Sequence, residues 1–173
     1  GREGEIGRLL SVNKDEEARE MLKINQDLFD DRFYLEIQRT GRAGEESFIQ
    51  KALNLSAKFD CPLVATNDVR FISQKEFEAH EARVCIHDSR LLNDPRRERQ
   101  YSEEQYLRSA SEMIDLFKDI PEAIDNTLEI AKRCNLQISL GDNYLPDYPI
   151  PDGLSADDFL TKQAIKGLEQ KYH

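Results

Sequence analysis

A chain of 173 residues has room for one ordinary domain with a core, or for one domain and part of a second. Its net charge of −10 argues against a surface that tracks phosphates, because nucleic-acid affinity rests mainly on Lys and Arg neutralising them. No apolar run approaches the roughly 20 residues of a membrane helix, no signal segment opens the chain, and Cys61, Cys85 and Cys134 are odd in number and widely spaced, so a soluble, cytoplasmic protein with reduced, packed thiols is expected.

Gly1, Gly4 and Gly7 recur every third residue with no strand before them, which rejects a dinucleotide fingerprint. Asn13 is placed to cap a helix over 14–29, with Glu16 reaching back and Ala18, Met21, Leu22, Leu28 and Phe29 on the apolar face. Over 33–38, Phe33, Leu35 and Ile37 alternate with Tyr34, Glu36 and Gln38, the period of a strand with one covered face. A glycine-rich turn over 39–44 leads to a helix over 45–59, where Phe48, Ile49, Ala52, Leu53, Leu55, Ala57 and Phe59 fall mostly at helical spacing. The apolar run 62–65, opened by Pro62, predicts a central strand covered on both faces. Strand, helix and strand then form a βαβ unit with parallel strands.

Thr66, Asn67, Asp68 and Arg70 follow directly at the carboxyl end of that second strand, where α/β folds place their ligands. Asn and Asp are also ordinary turn formers that bond their own backbone, and spacing alone favours that plainer role. A helix over 75–87 carries Phe77, His80, Ala82, Val84 and Cys85; neither His80 nor His87 has a second histidine at ligand spacing, so no zinc signature is present. The stretch 88–100 reads as a polar surface excursion. Its Arg96, Arg97 and Arg99 are a weak candidate for meeting a nucleic-acid phosphate, and a solvated loop balanced by Glu98, Glu103 and Glu104 fits them better.

Ser102 and Gln105 suit a capping box, with a helical turn and a short strand both open for 101–107. Ser109 or Ser111 caps a helix through Phe117, and Pro121 at a first-turn position starts another to about Cys134 with Ala123, Ile124, Leu128, Ile130 and Ala131 inward. A strand over 136–140 is followed by a composition break at 141–153, rich in proline and holding Tyr144 and Tyr148, where a domain junction is expected. Ser155, with Asp157 and Asp158 favouring the helix dipole, caps a last helix through Leu168.

The run Ala65, Thr66, Asn67, Asp68, Val69, Arg70 and Phe71, followed by Ala79, His80, Glu81, Ala82 and Arg83, resembles the PHP (polymerase and histidinol phosphatase) domain of bacterial replicative DNA polymerase III alpha subunits. Residues 1–8, 33–41, 120–127 and 131–135, with Leu145, Pro146 and Pro149, are similar to that family in the same order, so the resemblance covers nearly the whole chain. It implies a helix-rich α/β fold: the C-terminal part of a distorted (βα)7 barrel with few parallel strands over 1–137, then a linker and the start of the polymerase palm over 138–173. In metal-holding members of the family the strand ends hold up to three metal ions, and the last motif reads Asn-Asp-x-His. Asp68 then falls on a metal-ligand position, Arg70 replaces a ligand histidine, and Gly1 aligns with a ligand cysteine. A guanidinium stays protonated and has no lone pair to give a metal, and glycine has no side chain to coordinate with.

The resemblance therefore implies a retired metal site, with Arg70 offering Asp68 an ion pair, no cofactor bound here and no catalytic residue in this stretch. It implies that the whole enzyme extends primers by nucleotidyl transfer from deoxynucleoside triphosphates, with magnesium held by palm carboxylates further along. This segment would be a scaffold that docks the proofreading exonuclease subunit beside other replicase subunits, meeting DNA only through the full-length protein. The alternative is a metal-dependent PHP phosphoesterase, acting in proofreading or as a pyrophosphatase.

Overall fold

The computed structural model describes residues 1–142, 146, 148–151 and 153–172. It divides into two compact units, residues 1–135 and 136–173. In the first, α1 (Glu5–Ser11) and α2 (Asp15–Phe29) lead through a short 3-10 turn, Asp30–Arg32, to β1 (Leu35–Gln38). Next come α3 (Glu45–Phe59), β2 (Leu63–Thr66), a 3-10 turn at Gln74–Glu76 running into α4 (Phe77–His87), α5 (Ala110–Leu116) and α6 (Pro121–Arg133). In the second unit α7 spans Ala156–Tyr172, four residues longer than the expected end at Leu168.

Strands β1 and β2 pair in parallel, Leu35 opposite Leu63 and Gln38 opposite Thr66, with α3 as the crossover. The expected βαβ unit is therefore present, and the chain is a helix-rich α/β protein with a small two-stranded parallel sheet. Leu22 of α2, Ile37 of β1, Ile49 and Ala52 of α3, Phe117 after α5 and Ala123 of α6 are fully buried in one core. Burying each large side chain contributes about 1.5–3 kcal/mol before entropy is counted. Arg39, just past β1, binds this layer to the α5–α6 turn: its guanidinium donates to Asp119 Oδ1 at 2.6 Å and Oδ2 at 2.8 Å and lies 5.1 Å from the Phe117 ring centroid. The Asp119 carboxylate holds that guanidinium well above its ordinary pKa.

Several local expectations are corrected. Asn13 does not cap α2: its backbone sits at φ 60, closing the turn after α1, and its Oδ1 accepts from Lys51 Nζ at 2.6 Å. Leu28 and Phe29 are exposed, because the side of α2 that packs on the core runs through Ala18, Met21 and Leu22. Strand β2 is not covered on both faces; its burial alternates, with Leu63 and Ala65 inward and Val64 half-exposed. On α6, Leu128 and Ala131 face solvent, while Ala123 and Ile124 pack into the core and Asn126 Nδ2 donates to Leu63 O at 2.8 Å. No strand forms over 136–140, where Leu136, Ile138 and Leu140 are all exposed: alternation makes a strand only where a partner strand accepts the ladder. Cys61 and Cys85 are buried, as packed thiols should be, but Cys134 is exposed. Tyr144 and Leu145, invoked above, lie outside the described residues. Among the described residues no helix is long and apolar enough to cross a membrane.

Candidate functional site

Strand β2 delivers its polar tail to a loop held alongside residues 104–107 by hydrogen bonds and a single bridge. Asn67 is buried, and its Nδ2 donates to the backbone carbonyls of Glu104 at 2.9 Å and Tyr106 at 2.7 Å. That draws residues 104–107 alongside 67–71, where Arg70 N donates to Gln105 O at 2.8 Å and Leu107 N to Phe71 O at 3.0 Å, with a parallel bridge between Phe71 and Tyr106. Neither a helix nor a strand forms over 101–107: Gln105 Oε1 accepts from Ser102 N at 2.9 Å in a turn, and a single isolated bridge follows.

Asp68 stands at the centre with φ 44, a left-handed conformation that Asp tolerates better than most residues. Its Oδ1 pairs with Arg70 Nη2 at 2.8 Å. Its Oδ2 accepts from Gln105 Nε2 at 2.8 Å and lies 3.6 Å from Arg42 Nη1. Gln105 is fully buried and also donates to the Asp68 backbone carbonyl at 3.2 Å. Arg70 lies over the Tyr101 ring, 5.2 Å from its centroid, a position that suits a planar cation. Both carboxylate oxygens are thus engaged by guanidinium or amide donors.

Arg42 carries the network back to the sheet. It donates to Thr40 Oγ1 at 2.8 Å, to Glu45 Oε1 at 3.2 Å and to Gln38 Oε1 at 3.0 Å. Glu45 is buried in the first turn of α3, where the helix dipole favours a negative charge, and its Oε2 accepts from Thr40 N at 2.7 Å. Gln38 Nε2 reaches Thr66 Oγ1 at 3.0 Å, and that hydroxyl donates to Glu36 Oε1 at 2.6 Å. Gly1 stands at the rim of this chain of bonds: a Cβ built there would lie 2.6 Å from Glu36 Oε2. Asp68 and Arg70, named from the sequence, are therefore brought together. Gln105, Arg42 and Tyr101, which complete the cluster, carried no local sign of that role. Among the described residues no group of three or more His, Cys, Asp or Glu side chains is arranged to hold a metal ion.

The arginines of the long loop differ in their surroundings. Arg97 turns inward, its side chain 6% exposed, and donates to Glu81 Oε2 at 2.5 Å, so it is no free cation for a phosphate. That hydrogen bond raises its pKa further. Arg96 bonds Asp94 through Nε and Nη2, both at 3.1 Å, and the carboxylates expected to balance the loop, Glu98 and Glu103, make neither pair. The Glu81–Arg97 pair was legible in principle: Phe77, Glu81 and Cys85 recur every fourth residue on α4, which puts a carboxylate on the inward stripe. His80 is packed between Phe71 and Tyr101, at ring-centroid distances of 5.4 and 4.7 Å, and burial pulls its pKa down.

No protein-family model matches the chain. Similar proteins nonetheless carry one consistent name. DNA polymerase III subunit alpha of Pseudomonas aeruginosa is 50% identical over 170 residues, covering 98% of this chain and 14% of that protein. The protein of the same name from Pseudomonas fluorescens is 52% identical over 170 residues, with the same shares. That of Escherichia coli is 48% identical over 171 residues, 99% of this chain and 15% of its own length. The chain thus spans about 14% of the length of the relatives it matches, and the resemblance read from its motifs holds along nearly all of it.

Proposed function

We infer that this chain is a segment of a DNA polymerase III alpha subunit and that, within that enzyme, it is a catalytically silent PHP scaffold docking the proofreading exonuclease subunit. Residues 1–137 are the C-terminal part of the distorted barrel, and 138–173 are the linker and the start of the palm. The whole enzyme carries out templated nucleotidyl transfer in the cytoplasm with other replicase subunits. Its magnesium ions are held outside this segment, and it meets DNA through the full-length protein.

The observation that carries the silent reading is the 2.8 Å pair between Asp68 and Arg70. In metal-holding PHP domains the residue two after this aspartate is a histidine with a lone pair; here a permanent cation supplies the positive charge that a metal ion would bring. The residues present do not fit a dication, because a second guanidinium, Arg42, faces the same carboxylate and Gln105 takes its remaining oxygen. Two like charges competing with a metal for one carboxylate exclude it electrostatically. The docking role rests on the resemblance to the alpha subunits.

The test has two arms. Titration with zinc or manganese should leave the Asp68 amide and carboxyl resonances unmoved, and primer extension by this chain should be absent; a divalent ion on Asp68 would instead favour the phosphoesterase alternative. Capture of the purified exonuclease subunit by the immobilised chain supports docking, and failure of that capture by an otherwise folded chain counts against it.

A further inference from the structure

One stripe of α4 lies outside the Asp68 network. His80, Arg83, Val84 and His87 recur at i, i+3, i+4 and i+7 and so share a face of the helix. With Asp88, Gln100 and Tyr101 they line a cleft of about 430 Å³, within the range of small-molecule sites. Its lining sets one arginine and two histidines against a single carboxylate. Asp88 is the one carboxylate there, and its Oδ1 is already 2.8 Å from His87 Nδ1. Arg83 has no carboxylate partner among the described residues, although acidic groups outnumber basic ones by 34 to 24 in the chain. His80 closes one end of the cleft; its buried Nδ1 makes no hydrogen bond and lies 3.9 Å from Glu81 Oε1.

Two helical turns, about 11 Å, separate the His80 and His87 positions, and Arg83 projects between them. A planar guanidinium between two imidazoles suits one tetrahedral dianion, bound bidentately by the guanidinium with a ring bordering it on either side. We propose that this cleft binds a small phosphate group, as inorganic phosphate or as the phosphate of a nucleotide, with Arg83 as the principal contact. The site does not include Asp68, although Tyr101 borders both, and phosphate binding at Arg83 is read separately from metal binding at Asp68.

The experiment follows the histidine ring resonances of the 173-residue chain by NMR during titration with inorganic phosphate and, separately, with deoxycytidine monophosphate, sodium chloride holding the ionic strength constant. Saturable shifts at His80 and His87 are expected, with a dissociation constant on the order of 1 mM, as a few charge-assisted bonds at an open site allow. Equal affinities assign recognition to the phosphate alone, and tighter nucleotide binding assigns a further contribution to the Gln100–Tyr101 side of the cleft; both support the proposal. Arg83→Gln should weaken binding about fivefold or more, His87→Gln should weaken it less, and Arg8→Gln on α1 should leave it unchanged. His87 is exposed, so its variant keeps the fold and serves should Arg83→Gln not. Linear, non-saturating shifts, or wild-type affinity in a folded Arg83→Gln chain, would overturn the proposal.

Discussion

Asn67 does with one carboxamide what a neighbouring strand does with a ladder. Its two N–H bonds, at 2.9 and 2.7 Å, satisfy two carbonyls of residues 104 and 106 that no sheet partner serves. A buried acceptor stripped of its donor costs about 1–3 kcal/mol, and Asn67→Ala strips two at once. Asn67→Ala should therefore lower stability by about 2–4 kcal/mol, read as a lower urea midpoint with an unchanged slope. A loss below ~0.5 kcal/mol would show that water replaces the carboxamide and that the loop is not held from this residue. The adjacent Asp68 depends on the same loop, since Gln105 reaches its carboxylate only when 104–106 is drawn in.

Among the helices, α5 shows how a cap becomes a pH-sensitive feature. Ser109 is its N-cap, and Glu112 three residues on completes a reciprocal capping box, with Ser109 N donating to Glu112 Oε2 at 2.7 Å. The hydroxyls of Ser109 and then Tyr106 pull the Glu112 carboxyl down to about 2 from an ordinary 4.5. A carboxyl whose folded pKa is depressed stabilises the fold above its ordinary value and loses that contribution as pH falls through the folded one. The thermal midpoint should accordingly fall more steeply between pH 4.5 and 2 for the wild-type chain than for Glu112→Gln, whose neutral amide keeps part of the box without titrating. Parallel acid limbs for the two proteins would refute this role. By contrast α2 has a long apolar face in sequence but buries only Ala18 and Leu22 fully, since a helix covers what its neighbours reach.

For the whole molecule, sign and pairing of charge matter more than their count. Arg39, Arg42, Arg70, Arg97 and Arg108 are all spent on carboxylates of the same chain, and the remaining surface carries the excess of a −10 balance. Counterion release, the main source of affinity for DNA, needs cations free to meet phosphates. The chain alone should therefore not retain a primer–template duplex in a mobility-shift assay at roughly 100 mM salt. A shift at that salt would point to a basic surface that the internal pairing does not use up.

What the sequence by itself determined is the set of features governed by neighbours along the chain. The α3 bounds, the parallel β1–α3–β2 unit and the Pro121 start of α6 follow from periodicity and capping chemistry, and the Asp68–Arg70 pair follows from two charges two residues apart past a strand. What only the tertiary structure decided is everything that depends on which distant group arrives. Asn13 turned from a cap into an acceptor for Lys51, 38 residues away, and Arg97 left the surface for Glu81. Gln105 came across 37 residues to take an oxygen of Asp68, and the alternating run at 136–140 found no strand to pair with. Local patterns record propensity, whereas burial and hydrogen-bond partners over such separations are set by loop closure and packing, which no short window of residues encodes.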